Sequence, residues 1–220
     1  KPIMRQSDRS EVYKRAINNL TEMKLLYPCF CTRKDILKEI SFSNNAPHQN
    51  SNFGPIYPGI CKNLESEKQN GLIESGRPYA LRLDITKAKY IVGDLTWYDR
   101  IRGKQIVQVD KIGDVVLARK DIASSYHLAV TIDDAEQGIT LINRGNDLFE
   151  STHVHRILQA LLNLETPEWQ HTELLTDTNG KRLAKRENSL TLRSLRAKGV
   201  KGKDIWLEAI KNITSQKKVT

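Results

Sequence analysis

Three cysteines stand at positions that could hold a metal. Cys29 and Cys31 are one residue apart in YPCFC. Alternate side chains of an extended segment share a face, so both sulfurs can reach one tetrahedral ion. Cys61 supplies a third sulfur, and the fourth position falls to Tyr57, four residues before Cys61, or to His48 in the intervening stretch. A second group is cationic: GKRLAKREN puts Lys181, Arg182, Lys185 and Arg186 after a Gly turn. Cations on such a loop can follow the charge that develops on a triphosphate when its α-phosphorus is attacked, although a solvated helix entry is the plainer reading. A third candidate is Arg144 in NRGNDL, a planar fork suited to a carboxylate or phosphate, with Gly145 beside it to let a ligand approach the backbone. Arg144 could equally be held in an ion pair with Asp134 or Asp147. Tyr126, expected at the head of a buried strand, could line the same pocket. His127, His153, His155 and His171 show no metal spacing and read as core or surface residues.

Positioning these groups falls to elements whose apolar periods differ. Residues 8–26 place Tyr13, Ala16, Ile17, Leu20 and Met23 at helical spacing, with Ser7 as N-cap and Pro28 as stop. A short helix is expected over 35–40, then a polar loop over 41–58, rich in Ser, Asn, Gly and Pro. The period changes over 79–117: Leu81, Leu83 and Ile85 alternate, and the apolar runs at 90–92, 106–109 and 114–117 also read as strands. HLAVTIDDAEQGITLINRGNDL reads as strand, turn, looped or short helical segment, and strand. A strong helix is expected over 147–164, with Val154, Ile157, Leu158, Leu161 and Leu162 on its apolar side. Two short helices near 189–198 and 203–213 end the chain, the first closed by Gly199. This order predicts an α/β fold with an inserted strand-rich module.

The 220 residues are 39% hydrophobic and 28% charged, the composition of a globular chain and not of a disordered or membrane one. No apolar run approaches the roughly 18 residues that cross a bilayer, and KPIMRQSDRS has no signal-peptide core, so a cytoplasmic address is expected. Three cysteines are too few, and odd in number, for a disulfide framework. The formal charge of +9 lies entirely in the tail: residues 181–220 hold 12 Lys+Arg against 3 Asp+Glu, leaving 23 against 23 before them. Such a tail suits a polyanion, with a nucleic-acid backbone first and an acidic membrane surface second.

Four strings in order carry a resemblance: YPCFC with Tyr57 and Cys61; GDVVLARKDIASSYHLAVTIDDAEQGIT; RGNDL with THVHRILQALL; and LLTDTNGKRLAKR. Together they resemble the glutamyl/glutaminyl branch of the class I aminoacyl-tRNA synthetases, and within it a short paralogue of glutamyl-tRNA synthetase. The resemblance implies a Rossmann-type class I catalytic fold with an inserted zinc-containing module and a C-terminal helical segment. It divides the chain into a helix of the catalytic fold (1–26), the inserted module (27–122), the second half of the Rossmann fold (123–180), and a KMSKS-like loop with a basic helical tail (181–220). It implies Cys29, Cys31, Tyr57 and Cys61 as ligands of one structural zinc, and Tyr126 and Arg144 as the glutamate-binding residues. Arg182, Leu183, Ala184, Lys185 and Arg186 fall on the KMSKS-like loop, with Lys185 as its catalytic, ATP-contacting lysine. The implied partners are ATP with Mg2+, L-glutamate and tRNA(Asp), to whose queuosine base the short paralogue transfers glutamate. A monomer without membrane contact is expected.

Only 35 residues follow Lys185, too few for the helical anticodon-binding domains of the long enzyme. Three features depart from the family pattern. No HIGH-like signature occurs, so the first βα unit is expected to precede residue 1. Ala184 replaces the usual Ser of the loop. Cys31 and Tyr57 are separated by 25 residues, a longer gap than the paralogue pattern. The alternatives are an inactive tRNA-binding remnant and a fragment of full-length glutamyl-tRNA synthetase.

Overall fold

The computed structural model describes residues 3–42, 56–119, 124–174 and 191–216. His48 and the whole cationic loop from Lys181 to Arg186, Lys185 included, lie outside the described residues.

A 3-10 turn at Gln6–Arg9 leads into α1 (Ser10–Glu22), which buries Tyr13, Ala16, Ile17 and Leu20 of the face its period predicts, while Met23, at the C-cap, is exposed. Ser7 is not its cap; Arg9 holds that position, without a side-chain cap bond. The helix ends at Glu22, well before Pro28, because Lys24 turns to φ 57° and the Leu25 N–H closes on the Leu20 carbonyl at 3.1 Å. Pro28 lies inside β1 (Leu26–Cys29), an edge strand, where a missing N–H is tolerated. α2 (Arg33–Phe42) is entered through a reciprocal cap: the Thr32 N–H donates to the Asp35 carboxylate at 2.8 Å and the Asp35 N–H to the Thr32 hydroxyl at 3.2 Å.

After α3 (Ser66–Glu74) come β2 (Ala80–Leu83) and α4 (Ile85–Val92). The run at 90–92 is therefore the end of a helix and not a strand. Asp84 decides this: its carboxylate accepts the Lys87 N–H at 3.0 Å and caps the new helix. β2 pairs antiparallel with β1 on one side and with β5 (Val116–Arg119) on the other, forming the first sheet.

The second sheet has the order β4-β3-β7-β6, formed by β3 (Thr96–Asp99), β4 (Gly103–Ile106), β6 (Leu141–Gly145) and β7 (Glu168–Thr172). β3 and β4 form a hairpin, while β7 runs parallel to both β3 and β6. Although β3 and β4 fall within the span 27–122, they complete the sheet built by the later strands. Between β6 and β7 runs α6 (Ser151–Leu161), inside the span its period indicates, after a 3-10 turn at Asn146–Leu148.

HLAVTIDD forms no strand. It is α5 (Tyr126–Glu136), capped by the Ser125 hydroxyl, which accepts the Leu128 N–H at 3.4 Å. Tyr126 opens a helix and is 48% exposed, which corrects its expected place at the head of a buried strand. The apolar run misleads because a buried helix and a buried strand look alike over four residues.

One core joins the elements: Leu20, Leu83, Leu117, Leu128, Ile157, Leu158 and Trp169 are fully buried within it. Asp133 on α5 fastens α1 to it, accepting the Tyr13 hydroxyl at 2.8 Å and Arg9 Nε at 2.8 Å. A smaller cluster gathers Tyr27, Cys29, Phe30, Tyr57 and Cys61. The tail forms α7 (Leu192–Ala197) and α8 (Gly202–Gln216), with Gly199 at φ 77° closing α7. Among the described residues no helix is long and apolar enough to cross a membrane.

Candidate carboxylate site and thiol cluster

Arg144 stands in β6 directly opposite His171 of β7. Its Nε donates to His171 Nε2 at 3.0 Å, Nη1 to His155 Nδ1 at 3.3 Å and Nη2 to the Thr152 hydroxyl at 2.6 Å. Thr152 and His155 lie three apart on α6, the spacing that puts two side chains on one helix face. Arginine can only donate, so both imidazoles must offer lone pairs to it. That fixes their tautomers. His171 carries its proton on Nδ1 and donates to Asp99 Oδ2 at 2.7 Å, and His155 carries its own on Nε2, directed at His127 Nδ1 at 3.2 Å.

Electrostatics agree with neutral rings. Burial, with Arg144 adding to it, drives His155 well below the ordinary histidine value and His127 down to about 4. Burial lowers His171 too, against the opposing pull of Asp99. Burial also lowers the pKa of Arg144 itself, while Tyr126, Asp134 and Asp147 favour its charge. All three hydrogen-bond partners of Arg144 given above are neutral, and Asp134 and Asp147 act on it through space. The result is a half-buried cation whose hydrogen-bond acceptors are uncharged, an arrangement that favours an incoming carboxylate or phosphate.

Tyr126 joins the neighbourhood of Arg144, its ring 5.8 Å from that of His155. It also lines, with His127, Ser125, Arg82, Arg119 and Tyr57, a cavity of about 400 Å³ between α5 and the first sheet. At Gly145 a Cβ would come within 2.5 Å of the Asp147 carboxylate and 2.8 Å of the Leu174 side chain, so a larger residue there would displace both side-chain ends. Asp99, Thr152, His155 and His171 carry no spacing signal in the sequence; strand register and helix phase assemble them.

The second group is the thiol cluster. The three sulfurs of Cys29, Cys31 and Cys61 lie within 4.8 Å of one another and could hold a metal ion. Cys31 and Cys61 Sγ are 3.4 Å apart, and the Tyr57 hydroxyl lies 3.3 Å from Cys29 Sγ and 3.7 Å from Cys31 Sγ. A tetrahedral zinc with Zn–S bonds of about 2.3 Å separates its sulfurs by about 3.8 Å, so the donor set fits such an ion. Burial works against ionisation of Cys29, but hydrogen bonds from Tyr57 and Arg82 outweigh it and lower its pKa. Burial instead pushes Cys31 up to about 12. Neighbouring thiols cannot all lose their protons unless a cation replaces them. The Arg82 guanidinium lies 3.8 Å from the centre of the Tyr57 ring and supplies positive charge behind the cluster. Lys62, next to Cys61, pairs with Asp84 at 2.7 Å and Asp114 at 3.2 Å, tying this segment to the start of α4.

The family described as class I tRNA synthetases (E and Q), catalytic domain, matches residues 1–215. Glutamyl-Q tRNA(Asp) synthetase of Rhodobacter capsulatus is 38% identical over 212 residues, covering 93% of this chain and 73% of the relative. The protein of the same name in Nocardia farcinica is also 38% identical, over 87% of this chain and 57% of its own length. A glutamate tRNA ligase from Elizabethkingia meningosepticum, solved in complex with its amino acid, superposes with a TM-score of 0.63 at 25% identity, covering 90% of this chain and 38% of that one. The chain thus spans only part of the proteins it resembles. Matched along nearly its whole length and folded alike, it belongs to the catalytic-domain family of the class I tRNA synthetases for glutamate and glutamine.

Proposed function

We propose that this chain acts as a glutamyl-Q tRNA(Asp) synthetase: it activates L-glutamate with ATP and transfers it to the queuosine base in the anticodon of tRNA(Asp). The observation that carries the reading is the half-buried Arg144, hydrogen-bonded to neutral acceptors beside Tyr126, in a chain 38% identical to relatives of that name. In activation the α-carboxylate of glutamate attacks the α-phosphorus of ATP, releasing pyrophosphate and leaving a mixed anhydride. Its charge is consumed there, so Arg144 would hold the side-chain carboxylate, which stays ionised throughout. A hydroxyl of queuosine then attacks the activated carbonyl and AMP departs. Catalysis rests on positioning and on phosphate electrostatics, with no covalent protein nucleophile. Lys185 on the KMSKS-like loop, residues 182–186, would contact ATP, which enters with Mg2+.

Cys29, Cys31, Tyr57 and Cys61 would hold one zinc, which supplies no reaction step and braces the module at the cavity wall. The division at 26, 122 and 180 would separate the catalytic helix, the module, the later Rossmann strands and the basic tail, with β3 and β4 of the second span joining the sheet of the third. That tail would lie along the tRNA backbone of a monomeric, cytoplasmic enzyme.

The test is twofold. With a first βα unit joined ahead of the chain, glutamate-dependent ATP–pyrophosphate exchange should proceed without tRNA and be lost in Arg144→Ala, and labelled glutamate should load tRNA(Asp) carrying queuosine but not tRNA(Asp) carrying guanosine there. tRNA retention without exchange would make the chain a binding module, and loading of the terminal adenosine would make it a glutamyl-tRNA synthetase portion.

A further inference from the structure

We propose that Asp99 and His171 are positioning residues for Arg144: the carboxylate fixes the His171 proton on Nδ1, leaving Nε2 as the acceptor that aims the guanidinium at its carboxylate ligand. This rests on the reading of Arg144 as the glutamate-binding residue.

The three residues lie in line across the second sheet. Asp99 ends β3, His171 is in β7 two residues beyond the β3–β7 pairing of Asp99 with Trp169, and Arg144 faces His171 from β6. Asp99 and His171 are 0% and 1% exposed, so water does not compete for these bonds. Every lone pair of Asp99 is directed. Oδ2 accepts His171 Nδ1 at 2.7 Å and the His171 backbone N–H at 3.1 Å, while Oδ1 accepts the N–H groups of Ile101 at 2.8 Å and Arg102 at 3.0 Å. The hairpin turn DRIRG thus locks the carboxylate, the carboxylate locks the ring, and the ring locks Arg144.

An indirect link suits a receptor for an anion better than a direct one. A carboxylate placed on Arg144 would neutralise the guanidinium and compete with the ligand. A neutral imidazole fixes its direction and adds no formal negative charge to those of Asp134 and Asp147 nearby. Thr152, His155 and His171 hold one N–H on each of the three guanidinium nitrogens, and Tyr126 hydrogen-bonds the same group, so the plane of the fork is fixed from several sides.

The experiment uses the whole chain and three variants, Asp99→Asn, His171→Gln and His171→Phe. Two readouts are taken: 15N NMR of the imidazole tautomers and of Arg144 Nε–H exchange, and calorimetric titration with L-glutamate. In the unaltered chain His171 should be protonated on Nδ1 and the Arg144 Nε–H should exchange slowly. Asp99→Asn presents its amide NH2 either to the ring, whose proton should then shift to Nε2, or to the N–H groups of the turn, which then lose their acceptor; either way the ring is no longer locked. Arg144 exchange should then quicken, and glutamate binding weaken, by about tenfold or more, the value of a hydrogen bond to a charged group. His171→Phe should do the same, whereas His171→Gln, which retains an acceptor, should stay within about threefold.

A His171 protonated on Nε2 in the unaltered chain, or equal losses in the Gln and Phe variants, overturns the proposal. If Asp99→Asn does not fold, the Gln and Phe pair decides. If the unaltered chain binds no L-glutamate, the reading of Arg144 as a glutamate site falls, and the exchange rates alone decide whether the pair positions it.

Discussion

At the scale of single residues, neutrality of the buried histidines makes a prediction about pH. His153 is 3% exposed and accepts the Trp97 indole N–H and the Gln108 N–H on the same Nδ1, each at 3.3 Å. Burial pushes it down to about 4, and His127 likewise. The unfolded chain binds these protons near the ordinary value of about 6.5, so between there and about 4 it holds more protons than the folded chain. Stability is therefore complete above that window and falls as pH drops through it, by on the order of 3 kcal/mol for His153 alone. Urea unfolding at pH 7.5 and pH 5 measures the fall, and His153→Gln should flatten it; an unchanged pH slope in that variant would show that another group is responsible. Asp84 and Asp99, lowered despite burial by their hydrogen bonds, contribute with the same sign in a more acidic window. Arg144 could be singled out from sequence because a fork beside Gly and Asp is unusual chemistry in itself. Asp99 and His171 could not, since they are 72 positions apart and acquire meaning only when the strands pair.

At the scale of elements, the thiol segment was legible because its signal is covalent spacing: Cys29-x-Cys31 on a strand needs no tertiary information to share a face. The helix α5 was not, because Leu128, Ala129, Val130 and Ile132 are broken only by Thr131, a residue that suits a strand as well, so nothing reveals the helical period. β3 and β7 went unread for another reason, being four and five residues long with only Trp97 and Trp169 as strong apolar anchors. The cluster predicts local consequences. One zinc per chain should be found by elemental mass spectrometry, and chelation should raise hydrogen exchange in β1 and around Cys61 while α5 and α6 stay protected. Tyr57→Phe keeps the ring beneath Arg82 but removes the oxygen near Cys29, so it should weaken metal retention without loosening the remainder of the first sheet. A chain that takes up no zinc, or a variant that retains it as tightly as the parent, would remove Tyr57 from the ligand set.

At the scale of the whole molecule, charge and chemistry are separated along the chain. The first 180 residues balance their charges, and all of the +9 follows them. Arg193, Arg196, Lys198, Lys201 and Lys203, on and between α7 and α8, are all exposed, so none is spent on the core. A cation in that setting is strongly hydrated and acts on a polyanion mainly by displacing its condensed counterions. The expected signature is therefore a salt slope and not a base preference: the logarithm of tRNA affinity should fall linearly with the logarithm of salt concentration. Replacing the five by Gln should flatten that slope by about 0.7 to 0.9 for each phosphate the tail no longer neutralises. The same replacement should leave L-glutamate binding unaltered, because Arg144 and its partners lie in the second sheet and α6. A tail that only packs against the catalytic fold predicts the reverse, an unchanged slope with lowered thermal stability. Filter binding of tRNA across a salt series, with calorimetry of the same samples, distinguishes the two.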